Sequence, residues 1–534
     1  MGQILHPVTG RPMATTAPSS QVQEIRRQIL EHLRKRSLHA QYDAAQSTSQ
    51  NENHWRWADI LSPNSTNSLP VRTRLRSRSR YEVANNGYLK GIVLTKSQDI
   101  VGSGPTLQVI DSRFTLEQKG LIEIAYQRRA KQIKLRRKLR QLCHAKIQDG
   151  EGFAVRIDNT RLRSSVRVDQ KIVECDQISH YDMSVVKPAQ YLEIDGIRFS
   201  SVSGEPTSYH LLNAHPGERD VWDLPSNDGR WIAAEHVIHW FRRDRPWNRG
   251  IPETAVTLPL WALLRRYTLA VVQNAEIAAD FTVLLKSLQA PSVTPFPLSG
   301  SPGEPSSSVD DWFASFPVDR GLMTVLPDGY DLSQLDPKQP VTMYDDFVCA
   351  LVQEAARPLL VPRNMSLGNS GKYNMASGAL DRQLYAGAIK DERHDCEDEV
   401  LDKDLGQWWF EAVRTPNYFS DDRNGRGLAD VVVRSADLRY EPPDHTYRWD
   451  EIVEHTDPVK VATAMNLLHQ AGHLSDVDIQ EGRFNRRVED HYSNLAQQQQ
   501  VREKLGLSIT PQSDGREPGP EDPEPEEGLD PEEE

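Results

Sequence analysis

Five prolines in the stretch "APSVTPFPLSGSPGEPSSS", residues 290–308, rule out a regular helix or a central strand there. The segments on either side give that break its force. Upstream, "ETAVTLPLWALLRRYTLAVVQNAEIAADFTVLLKS" sets Leu260, Leu264, Tyr267, Val271, Ala275, Ala278 and Phe281 at helical spacing. One helix from Pro259 to Lys286 is predicted, roughly 40 Å long. Downstream, "YDDFVCALVQEAARPLL" predicts a second helix that starts near Tyr344 and stops or kinks around Pro358 and Pro362. Between them lie short strand-like pieces around "GLMTVLPDGYDL". The chain is therefore expected to build two long rods joined by a proline-rich insertion.

The rest of the sequence divides by period. Residues 21–36 read as a basic amphipathic helix after a polar arm. In "VRTRLRSRSRYEVANNGYLKGIV" an arginine occupies every second position from Arg72 to Arg80, which as a strand would make a basic ribbon. Leu75, Val83, Ala84, Tyr88 and Ile92 favour a helix instead, with Arg72, Arg76 and Arg80 along one side. "DIVGSGPTLQVI" reads as a glycine turn entering a strand, and 115–148 as another long helix. Residues 151–245 change to short alternating runs such as "GFAVRID", "YLEIDGIRFS", "SYHLLNA" and "HVIHWF", a β-rich region. A near-continuous helix is predicted from Met375 to Val413, with an apolar end made of Leu401, Leu405, Trp408, Trp409 and Ala412. Near the C-terminus, Asp457 as N-cap, Pro458 as first helical residue and Gly472 as stop mark a further helix, and 487–505 another.

Charge and cysteine content narrow the function classes. The net charge is -13, but residues 513–534 hold eleven acidic side chains against Arg516, so the body of the chain is nearly balanced. A near-neutral body argues against a protein whose whole surface clamps DNA. The four cysteines form no CxxC pair, which points away from a zinc ribbon or a disulfide scaffold. No charged-then-apolar leader begins the sequence and no uninterrupted apolar run reaches membrane-spanning length, so no membrane association is expected. "GNSGKYN" lacks the P-loop's first glycine, Ser366 standing there, and has Tyr373 where Ser or Thr follows the lysine. His236 and His239 fall on opposite faces of a strand, which disfavours a metal pair. Neither a metal nor any cofactor is expected, and no hydrolase motif supplies a catalytic site. The run "RRAKQIKLRRKLR" reads first as a solvated helix face. The C-terminal helix pair reads as packing helices rather than a DNA reader, since Asp476, Asp478 and Glu481 would repel phosphate.

Taken in order, "YDAA", "RSRSRYEVANNGYLKGIV", "DIVGSGPTLQV", "HVIHWFRRDRPWNRGIPETA", "QEAARPLLVPRNMS", "KYNMASGALDRQ" and "TDPVKVATAMNLLHQAG" resemble the portal proteins of lambda-type tailed bacteriophages. Trp247 and Asn248 replace the Gly-Gln of the family's usual Arg-Pro-Gly-Gln-x-Arg-Gly turn, and "MASGALDR" departs from its Ser-Ser-x-Arg form. The resemblance implies an α+β portal fold assembled as a ring, usually of twelve subunits, at one capsid vertex of the virion after assembly in the host cytoplasm. It implies a flexible arm at 1–20, a wing at 21–255, a stem helix at 256–286 and a clip at 287–340. A second stem helix at 341–362 and a tunnel loop at 363–374 would follow. Residues 375–440 would hold a long helix and a return to the wing, 441–512 a helical crown and 513–534 an acidic tail. The implied partners are double-stranded DNA in the channel, the terminase large subunit, the head–tail adaptor, and the major capsid and scaffolding proteins. On this reading Asp345, Asp346, Glu354 and Arg357 line the passage, with Arg363 and Lys372 as sparse phosphate contacts near the constriction. Arg76 and Arg80 would meet acidic surfaces of a neighbouring subunit. Two alternatives stay open: a nucleic-acid enzyme such as a nuclease or packaging ATPase, and a non-enzymatic DNA-binding protein.

Overall fold

The computed structural model describes residues 53–179, 191–218, 229–280, 284–287, 330–333, 341–369, 371, 374–416, 418–419, 437–450, 458–476, 479–480 and 488–505, with Glu24, Arg27 and Gln28. The chain divides into two units, Met1–Tyr447 and Arg448–Glu534. The arm at 1–20, the predicted helix at 21–36 apart from Glu24, Arg27 and Gln28, the cap at Asp457 and the acidic tail lie outside the described residues.

In the first unit, helices α1 (Leu69–Asn85) and α2 (Gly87–Val101) replace the single helix expected over 71–93. Asn86 makes the break: its side chain accepts from the backbone N–H groups of Tyr88 and Leu89, capping α2 while α1 ends. The helix expected over 115–148 is likewise two, α3 (Leu116–Gln132) and α4 (Leu135–Asp149). Lys134 separates them in a left-handed conformation, φ 56°. Strand β1 (Thr106–Val109) follows the glycine turn as expected.

The β-rich region forms two small sheets. One has the order β3-β2-β8, from β2 (Glu151–Asp158), β3 (Val168–Val173) and β8 (Val237–Phe241). The other is a meander of β4 (Tyr191–Ile194), β5 (Ile197–Ser200), β6 (Pro206–Leu212) and β7 (Gly229–Ala233). All pairings within both sheets are antiparallel. Phe153, Val155, Val173, Ile197, Phe199, Tyr209 and Val237 make a shared core, which fixes which face of each strand turns inward.

The two rods are present, with a shorter first member. Helix α5 runs Leu258–Asp280, about 34 Å, and Lys286 belongs instead to strand β9 (Leu284–Ser287). β9 pairs with β10 (Tyr330–Ser333), Leu285 opposite Leu332, so the insertion enters and leaves side by side. Helix α6 (Val341–Ala356) then packs against α5 through Tyr267, which stacks on Tyr344 at 5.7 Å and meets Phe347 edge-on at 4.9 Å. A 3₁₀ turn at Arg357–Leu359 and a left-handed Leu360 end α6 where the prolines were expected to. Short α7 (Arg363–Leu367) follows.

Helix α8 (Met375–Cys396) continues through a π turn (Glu397–Leu401) into α9 (Asp402–Arg414), as the periodicity indicates. Leu401, Leu405, Trp408, Trp409 and Ala412 are all buried. Trp409 also donates its indole N–H to the carbonyl of Leu438 at 2.8 Å. In the second unit, α10 (Pro458–Gln470) ends in a left-handed Gly472, and α11 spans Val488–Leu505.

Candidate functional site

The alternating arginines open the way into the site. Helical geometry turns Arg72, Arg76 and Arg80 onto one face of α1, and that face is buried rather than solvated. Arg76 donates from Nη2 to Glu151 at 2.8 Å and from Nη1 to Asp176 at 2.6 Å. Arg80 grips Asp149 with Nε and Nη2, at 2.8 and 2.9 Å, and reaches Asp176 at 2.7 Å. Arg72 pairs with Asp195, and burial together with the nearby Arg249 brings its guanidinium down to about 10. The acidic surface expected on a neighbouring subunit is thus supplied by the same chain. Arg76 is only 3% exposed and has no area left for a partner, whereas Arg80 keeps 30%. For Arg76 this is a correction: its role is internal.

At the centre stands Glu151, the first residue of β2, with no exposed surface. Arg249 clasps its carboxylate with Nη2 at 2.5 Å and Nε at 3.0 Å, while Gly250 N–H and His239 Nε2 donate at 3.0 and 3.2 Å. Burial alone would raise the carboxyl's pKa, but Arg249, the hydrogen bonds from His239 and Arg249, and Arg76 outweigh it and hold the group well below the usual carboxylate range. Two glycines permit this approach. A Cβ on Gly250 would lie 2.0 Å from the carbonyl oxygen of Gly150, and Gly150 itself has φ 93°. The "RPWNRG" turn therefore works through Arg249 and Gly250, a role that its loop-like composition does not advertise.

A second buried group ties the root of α5 to α8. Glu253 accepts from Lys96 at 2.7 Å and Lys146 at 3.0 Å, and Glu392 of α8 pairs with both lysines. Burial opposes ionisation of Glu253, yet Lys146 and Lys96 bring it down to about 2. A third group joins α3, β3 and α9: Arg129 holds Asp404 with two bonds of 2.6 and 2.8 Å, and Tyr126 and Gln170 donate to the same carboxylate. Part of the basic run at 128–140 is thus structural, not solvated.

The expected channel residues fall on α6 and after it. Asp346, Glu354 and Arg357 lie on its exposed side, opposite the buried Val348, Val352 and Ala355. Asp345 is exposed as well, but on the side of Cys349, whose thiol donates to it at 3.7 Å, half-way around the helix from Glu354. Arg363 opens α7 and is half-buried, and Lys372 lies outside the described residues. Among the described side chains, α5 is buried only near its start, at Leu258, Trp261 and Leu264. Leu263, away from that buried side, is 55% exposed, and further along Leu269 and Val272 stand 56 and 51% exposed. By length and composition alone the stretch Ala255–Glu276 is also apolar enough to cross a bilayer, although Arg265 and Arg266 interrupt its apolar run.

His236 and His239 do not meet as a metal pair. His239 is stacked between Phe153 and Phe241, at 4.2 and 4.4 Å, and burial lowers its pKa to about 4. Glu174, Asp176 and His215 do come within reach of one ion, but Arg76 and Arg80 already occupy Asp176. The four cysteines are buried free thiols.

Residues 49–378, more than half of the chain, match the model of the family described as phage portal protein, lambda family. The chain belongs to that family. Among solved structures, this portal protein is similar to chains in three gene transfer agent (GTA) particles. The neck of an empty particle computed with C6 symmetry gives 12% identity and a TM-score of 0.41, covering 76% of this chain and 91% of the other. The virion of a native particle gives 12% and 0.39, covering 76% and 92%. The neck of a native particle computed with C12 symmetry gives 13% and 0.37, covering 76% and 91%. No curated protein matches the sequence. The portal assignment rests on the family match.

Proposed function

We propose that copies of this portal protein close into a ring, of twelve subunits, at one vertex of a phage capsid, and that double-stranded DNA is packaged and ejected through its centre. The observation that carries the reading is the exposed apolar end of α5. Leu269 and Val272, three residues apart on one side of that rod, are left in water, which is costly, and a neighbouring copy's rod would cover them. In this arrangement α5 and α6 are the stem. The insertion between β9 and β10 is the clip that meets the terminase large subunit and later the head–tail adaptor. The segment after α6 is the tunnel loop, the sheets and α8–α9 are the wing against the capsid and scaffolding proteins, and the second unit carries the crown.

Facing the axis, α6 would present Asp346 and Glu354, with Arg357 just past its end, while Asp345 would border the passage from the Cys349 side of the helix. Such a surface repels phosphate enough to let a duplex slide, since each phosphate neutralised deepens binding. Arg363 and Lys372 then supply the few contacts that hold DNA between steps. Negative-stain imaging of the purified chain tests the proposal: annuli with a central hole wide enough for a duplex are expected. Solid monomeric particles at high protein concentration would refute it.

A further inference from the structure

The basic run at 128–140 is only partly consumed by internal pairs, and what remains points outward. Lys131, Lys134 and Arg137 are exposed around the α3–α4 turn. Arg161, Arg163 and Arg167 are exposed on the tip of the β2–β3 hairpin. The two segments are fastened together: Lys138 pairs with Asp169, Asn159 donates to the same carboxylate at 2.8 Å, and Arg129 Nε donates to the carbonyl of Val168 at 3.2 Å. The six outward cations have no acidic partner among the described residues. On the hairpin itself, Asp169 is occupied by Lys138, and Asp158 at the end of β2 is exposed.

We infer that this patch binds the phosphate backbone of duplex DNA, on the wing and apart from the helices proposed to line the channel. Two features select nucleic acid over an acidic protein. No large apolar side chain is exposed on either segment among the described residues, and a protein partner would ordinarily need such an anchor at the centre of its footprint. Three of the cations are arginines on one short hairpin tip, whose planar guanidinium groups match phosphate oxygens in pairs. With backbone contacts only, the binding is independent of base sequence. The patch can hold a duplex whether or not α6 lines a passage.

The test uses the full-length protein in its purified assembly state and a short fluorescent duplex, with affinity followed from about 50 to 200 mM salt. Arg161→Glu, Arg163→Glu and Arg167→Glu are combined in one variant. Arg74→Glu, Arg78→Glu and Lys90→Glu, all exposed elsewhere, give a control with the same change in net charge. Each phosphate contact contributes about 0.9 to the salt slope, so the hairpin variant should lose roughly 3, a salt effect about 40-fold smaller over that range. An unchanged slope overturns the inference, as does an equal loss in the control. If the hairpin variant melts earlier than the parent, Lys131→Glu with Lys134→Glu replaces it, with a loss of roughly 2 expected. An acidic protein partner would appear as poly-glutamate displacing the duplex at equal charge from the parent but not from the variant, and that outcome also overturns it.

Discussion

Replacing Glu151 with glutamine keeps the shape of its side chain and removes one buried negative charge. Around it, Arg72, Arg76, Arg80 and Arg249 are balanced by Glu151, Asp149, Asp176 and Asp195. The variant leaves that group one positive charge in excess. It also turns an amide N–H₂ toward a site that Arg249, Arg76, His239 and Gly250 all approach as donors. Because Arg76 retains Asp176 and Arg249 retains Asp195, the loss is that of one broken buried pair, about 3–5 kcal/mol, and not two. At about 2.1 cal/mol/K of unfolding entropy per residue, a unit spanning Met1–Tyr447 has its Tm lowered by roughly 3–5 °C. Urea titration followed by tryptophan fluorescence, to which buried Trp240, Trp261, Trp408 and Trp409 contribute, should show the midpoint falling with an unchanged slope. Arg249→Met alone should cost a similar amount, and the double variant Glu151→Gln with Arg249→Met less than the sum, with a coupling of about 1–3 kcal/mol. A loss below about 1 kcal/mol in Glu151→Gln, or strict additivity in the cycle, would refute the view that this cluster holds α1, β2 and the 249–250 turn together.

His239 is held neutral by burial, with its folded pKa near 4 against an ordinary value near 6.5. The unfolded chain therefore binds the extra proton first, and about 3 kcal/mol of stability should disappear as pH falls from 6.5 to 4. His239→Phe should flatten that part of a pH–stability curve. Lys146→Met strands Glu253 and Glu392 beside Lys96 alone, and a loss of about 3–5 kcal/mol is expected by denaturant titration. Arg363→Glu with Lys372→Glu should leave annuli intact under the microscope while packaged DNA is lost. Failure to assemble would assign both residues to structure.

Much of this fold can be read from periodicity. The long helix from Met375 announces its buried end through Leu401, Leu405, Trp408 and Trp409, and the rods on either side of the prolines are equally plain. Breaks made without proline are harder. Lys134 adopts a left-handed turn that no local residue type signals, while Asn86 before Gly87 is a turn-and-cap signal that the apolar spacing around it outweighed. The arginine face of α1 is the clearest case of information that is not local. Amphipathic reasoning places guanidinium groups in water, and nothing near Arg76 in sequence indicates that Glu151 will close over it. The candidate channel face was partly legible, because Asp346, Glu354 and Arg357 share spacing that sets them opposite the apolar side of α6. Arg249 was not, because a turn rich in Arg, Asn and Gly looks the same whether its arginine points out or in.

The ladder between Leu284–Ser287 and Tyr330–Ser333 has a consequence for how such a protein can diversify. Residues 288–329 depart and return through one zippered doorway, so their length can change at a small entropic penalty, while the helices before and after keep the same separation. The segment is in effect a replaceable cartridge: its sequence and length can drift while the rods that hold it go on unaltered.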